Sequence, residues 1–539
     1  MLAESALPQG ISASLYENEE DLEEGLLSGE LSYQEYLELL ELLREGVVIT
    51  SPQMERLLFL PDFNQSDIEL ICDTILTPSL ENNILSCYPA GSFFIPEFLA
   101  ETRGRISFQT RQRFDKDYSY NFILTEFKSK NKFLLSLQLQ KEDTSSPVIR
   151  KRSLELSNLF FLKRVVLGNF DKKIGLGLNI GYHPLLKTAE EIDENSFLYP
   201  LSGRYNGILI ESKYDFFSPG LILSKNKRGV YSEELWALNL LFSFPDISFG
   251  LLRSEGRLKN SSNRSSFYDR NTGVYFKARK QKITLSGEYS FLNSRAKGLA
   301  SILTIKDKLF SIELSGWSYT QDFLHIFGSG LSNPDNTAME IDQVEYEYPS
   351  RETGESGFLF KSRYQLITNL HLDFSFSQWR ECSDEPFKLK NKIGIEKIFS
   401  DNFKTRLEYY HSDSDLEEEG SSQNLISSRV LFKPHRDFLF RLITRYGEKE
   451  LSSSPDRRKS FELQLRSDFH SISPFIINLW IRYRDTNLAE GGNGYWDFRI
   501  RERFSFYKNS YFWAEYFINL NHTAEDKVHG AKLRLEAGF

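Results

Sequence analysis

VHGAKLRLEAGF, residues 528–539, is the stretch whose reading decides the fold. Taken two at a time from the end, Phe539, Ala537, Leu535, Leu533 and Ala531 are all apolar. The residues between them are Gly538, Glu536, Arg534, Lys532 and Gly530. Side chains alternate between the faces of a strand, so this one has an apolar face and a charged or glycine face. An apolar outer face with a polar inner one is the pattern of a transmembrane β-barrel strand.

The preceding segments repeat that pattern. Strands are predicted near Phe387–Ile398, Phe403–Tyr410, Leu425–Phe432, Phe438–Tyr446, Phe461–Phe469, Phe475–Arg484, Trp496–Phe504, Tyr511–Leu520 and Val528–Phe539. Most have the ~9–11 residues that a tilted membrane strand needs. Their connections alternate in length. Residues 399–402, 433–437 and 507–510 are short, whereas 411–423, 447–459 and 485–494 are long and polar. Outer-membrane barrels have short periplasmic turns and longer outer loops, so the short set is expected inside and the long set outside. A soluble β-sandwich or propeller would have strands nearer 5–6 residues and no such alternation. Upstream, Arg103–Arg111, Lys132–Leu139, Val165–Phe170 and Ile174–Gly181 also read as strands. At roughly twenty residues per strand and connection, residues 102–539 predict about 18–22 antiparallel strands, an even number. Residues 321–357 are the least regular stretch and are expected to be an outer loop or an inward-folded plug.

The ending on Phe539, with Leu533, Leu535 and Ala537 on the same face, resembles the C-terminal signal of bacterial outer-membrane barrels. The resemblance implies recognition by the barrel assembly machinery, outer-membrane lipid around the barrel, and a Gram-negative envelope. The start, MLAESALPQG, has neither a basic n-region nor an apolar h-region, so a signal peptide is expected to have been removed.

Composition agrees with a barrel and disfavours other classes. The chain has 539 residues, 44 of them Phe and 26 Tyr, with aromatics at 14% and a net charge of −9. No apolar run approaches the ~18–20 residues of a spanning helix. The charge is divided unevenly. Residues 1–100 carry nineteen acidic residues against Arg44 and Arg56, a net of −17, which leaves +8 for the rest. Such asymmetry separates two regions with different roles.

The acidic region reads as short helices. Ser32 and Glu35 form a capping box ahead of Tyr33, Tyr36, Leu37, Leu40 and Leu43, and Gly46 ends the run. Ser51 and Pro52 begin a second helix with Met54, Leu57 and Leu58. After a hairpin of Pro61, Asp62, Phe63 and Asn64, Ser66 and Glu69 cap a third helix that presents Ile68, Ile71, Cys72 and Ile75. The stretch from Thr50 to Phe63, with Ile68 and Ile71, resembles the helix-hairpin-helix modules of competence-type DNA receptors. That family uses hairpin glycines to approach a DNA phosphate. Here the hairpin has no glycine and carries a carboxylate, so DNA is not the expected partner. Residues 1–88 are expected to form an acidic periplasmic helical domain that docks a protein partner or plugs the barrel, and 89–101 a linker. Val165–Phe170 and Ile174–Gly181, with this module ahead of them, are similar to a group of uncharacterised outer-membrane barrels. Of the three cysteines, Cys72 and Cys87 either form a bridge or remain free thiols, and Cys382 stands apart.

No catalytic or metal motif stands out. The eight histidines form no metal-spaced cluster, and there is no Gly-x-Ser-x-Gly elbow. The repeat in Ile174–Gly181 lacks the following helix and Gly-Lys-Ser/Thr of a phosphate loop. Asp413, Asp415 and Glu417–Glu419 lack the turn glycine and final Glu of an EF-hand. No enzyme activity and no cofactor are expected.

The interior carries the functional signal. With the apolar face outward, the inward cations of the last seven strands are Arg429, Arg441, Arg445, Arg466, Arg482, Arg484, Arg499, Arg501, Arg503, Lys532 and Arg534. The inward acids are Glu462, Asp468, Asp497, Glu515 and Glu536, which leaves an excess of six positive charges. Rings of Arg and Lys favour anions. The expected function is a channel or transporter that favours anionic solutes. The alternative is a closed barrel, filled by Arg–Glu pairs, that anchors a periplasmic binding module. For the N-terminal region one outcome is definite: residues 30–86 are expected to give no gel shift with duplex DNA at physiological salt, because their carboxylates repel a polyanion. Micromolar binding with a steep salt dependence would contradict this.

Overall fold

The computed structural model describes the strands between Thr102 and Gly538 and part of their connections, among them 171–181, 320–323, 327–328 and 331. Residues 1–101, 182–204, 332–353 and 539 fall outside the described residues. The helical domain, its hairpin Pro61–Asn64, Cys72, Cys87, the linker and Phe539 therefore do too.

Twenty-four strands are described. The first group is β1 (Thr102–Arg113), β2 (Tyr118–Ser129), β3 (Phe133–Glu142), β4 (Val148–Leu159), β5 (Leu162–Phe170) and β6 (Tyr205–Ser212). Next come β7 (Phe217–Arg228), β8 (Tyr231–Ser243), β9 (Ile247–Asn260), β10 (Ser266–Lys280), β11 (Ile283–Leu292) and β12 (Ala296–Lys306). They are followed by β13 (Phe310–Tyr319), β14 (Ser356–Ile367), β15 (Leu370–Arg380), β16 (Lys388–Ser400), β17 (Phe403–Asp413) and β18 (Ser422–His435). The last are β19 (Phe438–Leu451), β20 (Ser454–Ile472), β21 (Phe475–Asp485), β22 (Gly494–Tyr507), β23 (Ser510–Asn521) and β24 (Lys527–Gly538).

Each strand pairs antiparallel with the next in sequence, and β24 pairs with β1 from Arg113↔Gly530 to Arg105↔Gly538. The sheet is thus a closed barrel, in which no strand presents a bare edge. The nine strands read from the C-terminal half coincide with β16 to β24. The strand number exceeds the expected 18–22 because the short turns are tighter than assumed. Gln281-Lys282 alone joins β10 to β11, and Thr368-Asn369 alone joins β14 to β15. Gln281 and Asn369 take up positive φ, at 52° and 65°, to make those reversals.

Two further expectations are corrected. Residues 447–459 are not a long loop, because the ladder continues through Glu450↔Arg457 to Leu451↔Ser454. The alternation of apolar residues ends before the strands do. Ile174–Gly181 is not a barrel strand either. It closes on itself through an isolated bridge between Ile174 and Ile180, and belongs to the connection between β5 and β6. Its alternating Gly and Leu mimic the period of a strand, but its Gly175 and Gly177 adopt φ of 63° and 90°. Pro434 lies where the β18–β19 register shifts, between Phe432 and His435, a place where its missing N–H is tolerated.

The two faces differ as the alternation requires. Outward side chains such as Phe108, Leu251, Val274, Leu285, Leu299, Leu407, Ile426 and Leu535 are exposed and apolar. Aromatic pairs gather at the short-turn end of the strands. Phe161 stacks on Tyr214 and Phe216 on Phe244, while Phe399 packs on Phe403, Phe438 on Phe469 and Phe475 on Phe504. Removing β24 by truncation after Asn521 would leave β1 and β23 as open edges with apolar outer faces. The truncated chain is expected to aggregate and to lack the fast-migrating folded band that the full chain is expected to give on unboiled SDS gels. Retention of that band would show that closure is dispensable.

Candidate functional site: the two inner walls

The inner wall has two different parts. The first is ionic and runs over β14 to β24. All eleven cations singled out from the sequence share the inward parity of their strands. Arg441, Arg482, Lys532 and Arg534 are buried, while their sequence neighbours Leu442, Leu533 and Leu535 are exposed. Carboxylates lie between them. Glu462 meets Arg445 and Arg482, each at 3.1 Å. Asp468 lies 3.6 Å from Arg466 and accepts a hydrogen bond from Asn478. Asp497 pairs with Arg499 at 3.4 Å and Glu515 with Arg501 at 2.8 Å.

Tryptophans support the same cations. The Arg499 guanidinium lies 4.3 Å from the Trp480 ring centre, and Arg501 lies 4.7 Å from that of Trp513. Lys532, on β24, approaches Trp513 from the other side of that tryptophan's strand, at 5.3 Å. A cation over an indole face is held flat against the wall by the ring quadrupole. Arg429 stands opposite Arg406 in the register of β17 and β18, and Arg484 and Arg503 continue the rows of β21 and β22.

The sequence-based set begins at β18 and misses a compact ionic network just before it. On β14 to β17, Arg363 bonds Glu396 at 3.0 Å and approaches Asp373 at 3.5 Å. Arg406 reaches Asp373 and Glu408, at 3.2 and 2.7 Å, and Lys392 also holds Glu408, at 2.9 Å. The three cations and three carboxylates of this network balance one another. The signal was present in Lys392, Gly394 and Glu396, which alternate with Ile393 and Ile395.

The second part of the wall is apolar and covered. Val166, Phe170, Tyr205, Leu209, Ile222, Leu235 and Leu252 on β5 to β9 form one buried cluster with Ile174, Ile180 and Phe327. Leu292, Ala296, Ala300, Trp317, Tyr319 and Trp379 on β11 to β15 form another with Leu176, Leu178 and Phe323. The described parts of two connections therefore fold inward onto the wall. For residues 321–357, the described Phe323, Phe327 and Leu331 follow the inward alternative. Gly181 N–H donates to Phe327 O at 2.9 Å, and Tyr205 places its hydroxyl 2.9 Å from Gly181 O and 3.0 Å from Phe327 O. Leu331 N–H donates to the Tyr319 hydroxyl at 2.9 Å.

Among the described residues no group of His, Cys, Asp and Glu is arranged to hold a metal ion. Glu462 is buried and pairs with both Arg445 and Arg482. Glu462→Ala is expected to cost about 1.5–3 kcal/mol in urea refolding, the range for hydrogen bonds to charged groups. Asp307→Asn, which removes the charge that the exposed Lys282 pairs with, is expected to cost less than about 1 kcal/mol. Equal costs would show that the inner ion pairs carry no more than surface ones.

No protein-family model matches the sequence, and no curated protein matches it. Solved structures do resemble its fold. The siderophore receptor PirA from Pseudomonas aeruginosa is 8% identical, with a TM-score of 0.48 over 81% of this chain and 80% of that one. A mutant of the ferric enterobactin receptor PfeA from the same organism is 8% identical, with a TM-score of 0.46 over 82% and 81%. OccK5 (OpdH), also from Pseudomonas aeruginosa, is 13% identical, with a TM-score of 0.34 over 60% and 96%.

Proposed function

We propose that the protein is a bacterial outer-membrane barrel that acts as a channel or transporter and favours anionic solutes along its ionic wall. The observation that carries this reading is the contrast between faces on single strands. On β22, Arg499, Arg501 and Arg503 share one face, and the exposed Ile500 lies on the other. An apolar exterior closed through β1 and β24 suits a bilayer, in which every backbone polar group needs a partner within the protein. The aromatic pairs at the short-turn end suit the headgroup level on the periplasmic side. In this reading Leu533, Leu535, Ala537 and Phe539 present the terminal strand to the barrel assembly machinery. The acidic N-terminal region lies in the periplasm, where it docks a protein partner or plugs the barrel.

A second reading is supported by the inward segments on β5 to β15. They fill part of the interior, as a closed barrel that anchors a periplasmic binding module would require.

Bilayer recording under a salt gradient separates the two. The wild type is expected to conduct with a reversal potential on the anion side. Changing Arg499, Arg501 and Arg503 together to Ser removes three positive charges and leaves Asp497 and Glu515 without Arg499 and Arg501, so the reversal potential should move toward cation selectivity. A cation-selective wild type, or a potential unmoved by the triple change, would end the anion reading. No conductance would favour the anchor.

A further inference from the structure

The Ile174–Gly181 hairpin contributes nothing to the barrel ladder, yet Leu178, Asn179 and Ile180 are wholly buried. One carboxylate from the wall gathers its N–H groups. Glu288 of β11 accepts from Leu176 N–H at 2.6 Å, from Asn179 N–H at 3.1 Å and from the Asn179 side-chain amide at 3.2 Å. Gly175 and Gly177, with positive φ, turn the backbone so that these N–H groups converge. These N–H groups are thus met by a side chain of the wall. A buried carboxyl group is tolerated only when its oxygens are satisfied in this way.

The wall is shaped to receive the hairpin and its partner segment. A Cβ at Gly273 of β10 would collide with the Asn179 amide, one at Gly256 of β9 with the Phe327 ring, and one at Gly298 of β12 with the Phe323 ring. All three glycines lie on inward faces. Glycine weakens a strand and is kept where another group must approach the backbone. Ser290, beside Glu288, adds a hydrogen bond to Asn179 at 3.2 Å. Through Gly181 and Phe327 the two inward segments form one body, tied to the wall at Glu288, by the Tyr205 hydroxyl and by Leu331 N–H to the Tyr319 hydroxyl.

The geometry points to this body as a fixed constriction that sets the size of solute admitted, with Glu288 as its positioning residue. The inference rests on the channel reading and deepens it: the ionic wall selects charge and the opposite, apolar body selects size.

The test is the largest polyethylene glycol that enters the pore, read from single-channel conductance, together with hydrogen exchange at the amides of residues 176–179. In the wild type those amides should be protected. Glu288→Ala should release them, raise conductance and shift the exclusion limit to larger polymers, without moving the ion selectivity set by Arg499, Arg501 and Arg503. Glu288→Gln, which keeps one acceptor oxygen, should give a smaller shift. If Glu288→Ala does not yield the folded band on unboiled gels, Asn179→Ala, which removes one donor and the Ser290 contact, takes its place with the same expected direction. Asn179→Cys with Ser290→Cys in the Glu288→Ala background should restore the wild-type limit when oxidised and lose it on reduction. A conducting wild type whose limit is unchanged by release of the hairpin amides would overturn the constriction alone. Amides that remain protected in Glu288→Ala would overturn the role of Glu288. Absence of conductance in both wild type and variant would overturn the channel reading and the constriction with it.

Discussion

The structure depends on a single constraint: the backbone hydrogen bonds of β1 must be met by β24. A sheet with apolar outer side chains has no tolerable edge, because an unpaired N–H or C=O in an apolar surrounding costs several kcal/mol. The register from Arg113↔Gly530 to Arg105↔Gly538 removes the last edge. It also fixes the parity of every strand between. A slip of one residue anywhere would turn an inner row outward, placing Arg499 or Arg534 on the apolar outer face and Leu533 inside. Closure is therefore what converts a local two-residue period into two walls with different chemistry.

Those walls divide the work of filling the interior. On β14 to β24 the inward side chains are long, charged and paired across strands, and several rest on Trp480 and Trp513. On β5 to β13 many are apolar, and two connections cover them. The cost of burying cations is offset differently from the cost of burying a loop. The cations need carboxylates such as Glu462 and Glu515 within about 3 Å. The inward loop needs room, which Gly256, Gly273 and Gly298 provide, and one carboxyl group for its converging N–H groups.

The same division explains what was legible in the sequence. Strands β16 to β24 can be read because one face is apolar and the other charged. Strands β5 to β9 are harder, because Val166, Leu209, Ile222, Leu235 and Leu252 are buried inward while Leu167, Leu223, Leu238 and Leu251 are exposed outward. With both faces apolar the alternation disappears, and the individual strands are hard to place. Beyond Gly447 the opposite happens: both faces are polar, and a continuing ladder reads as a loop. The inward cations are visible from parity alone. Their partners are less so, because Arg406 and Glu396 meet across a register that no local pattern contains. The role of Glu288 is invisible in sequence, since its donors are 109 and 112 positions away.

That separation has a kinetic meaning. The hairpin at 174–181 can only find its carboxyl group after β6 to β11 have been laid down in order, so it is a late element of assembly with high contact order. Until then its apolar residues and its converging N–H groups face whatever surrounds the unfinished sheet. Slow, long-range docking of this kind is where a chain is most exposed to aggregation. The three wall glycines leave the space that this late docking requires, where a Cβ would meet Phe327, Asn179 or Phe323.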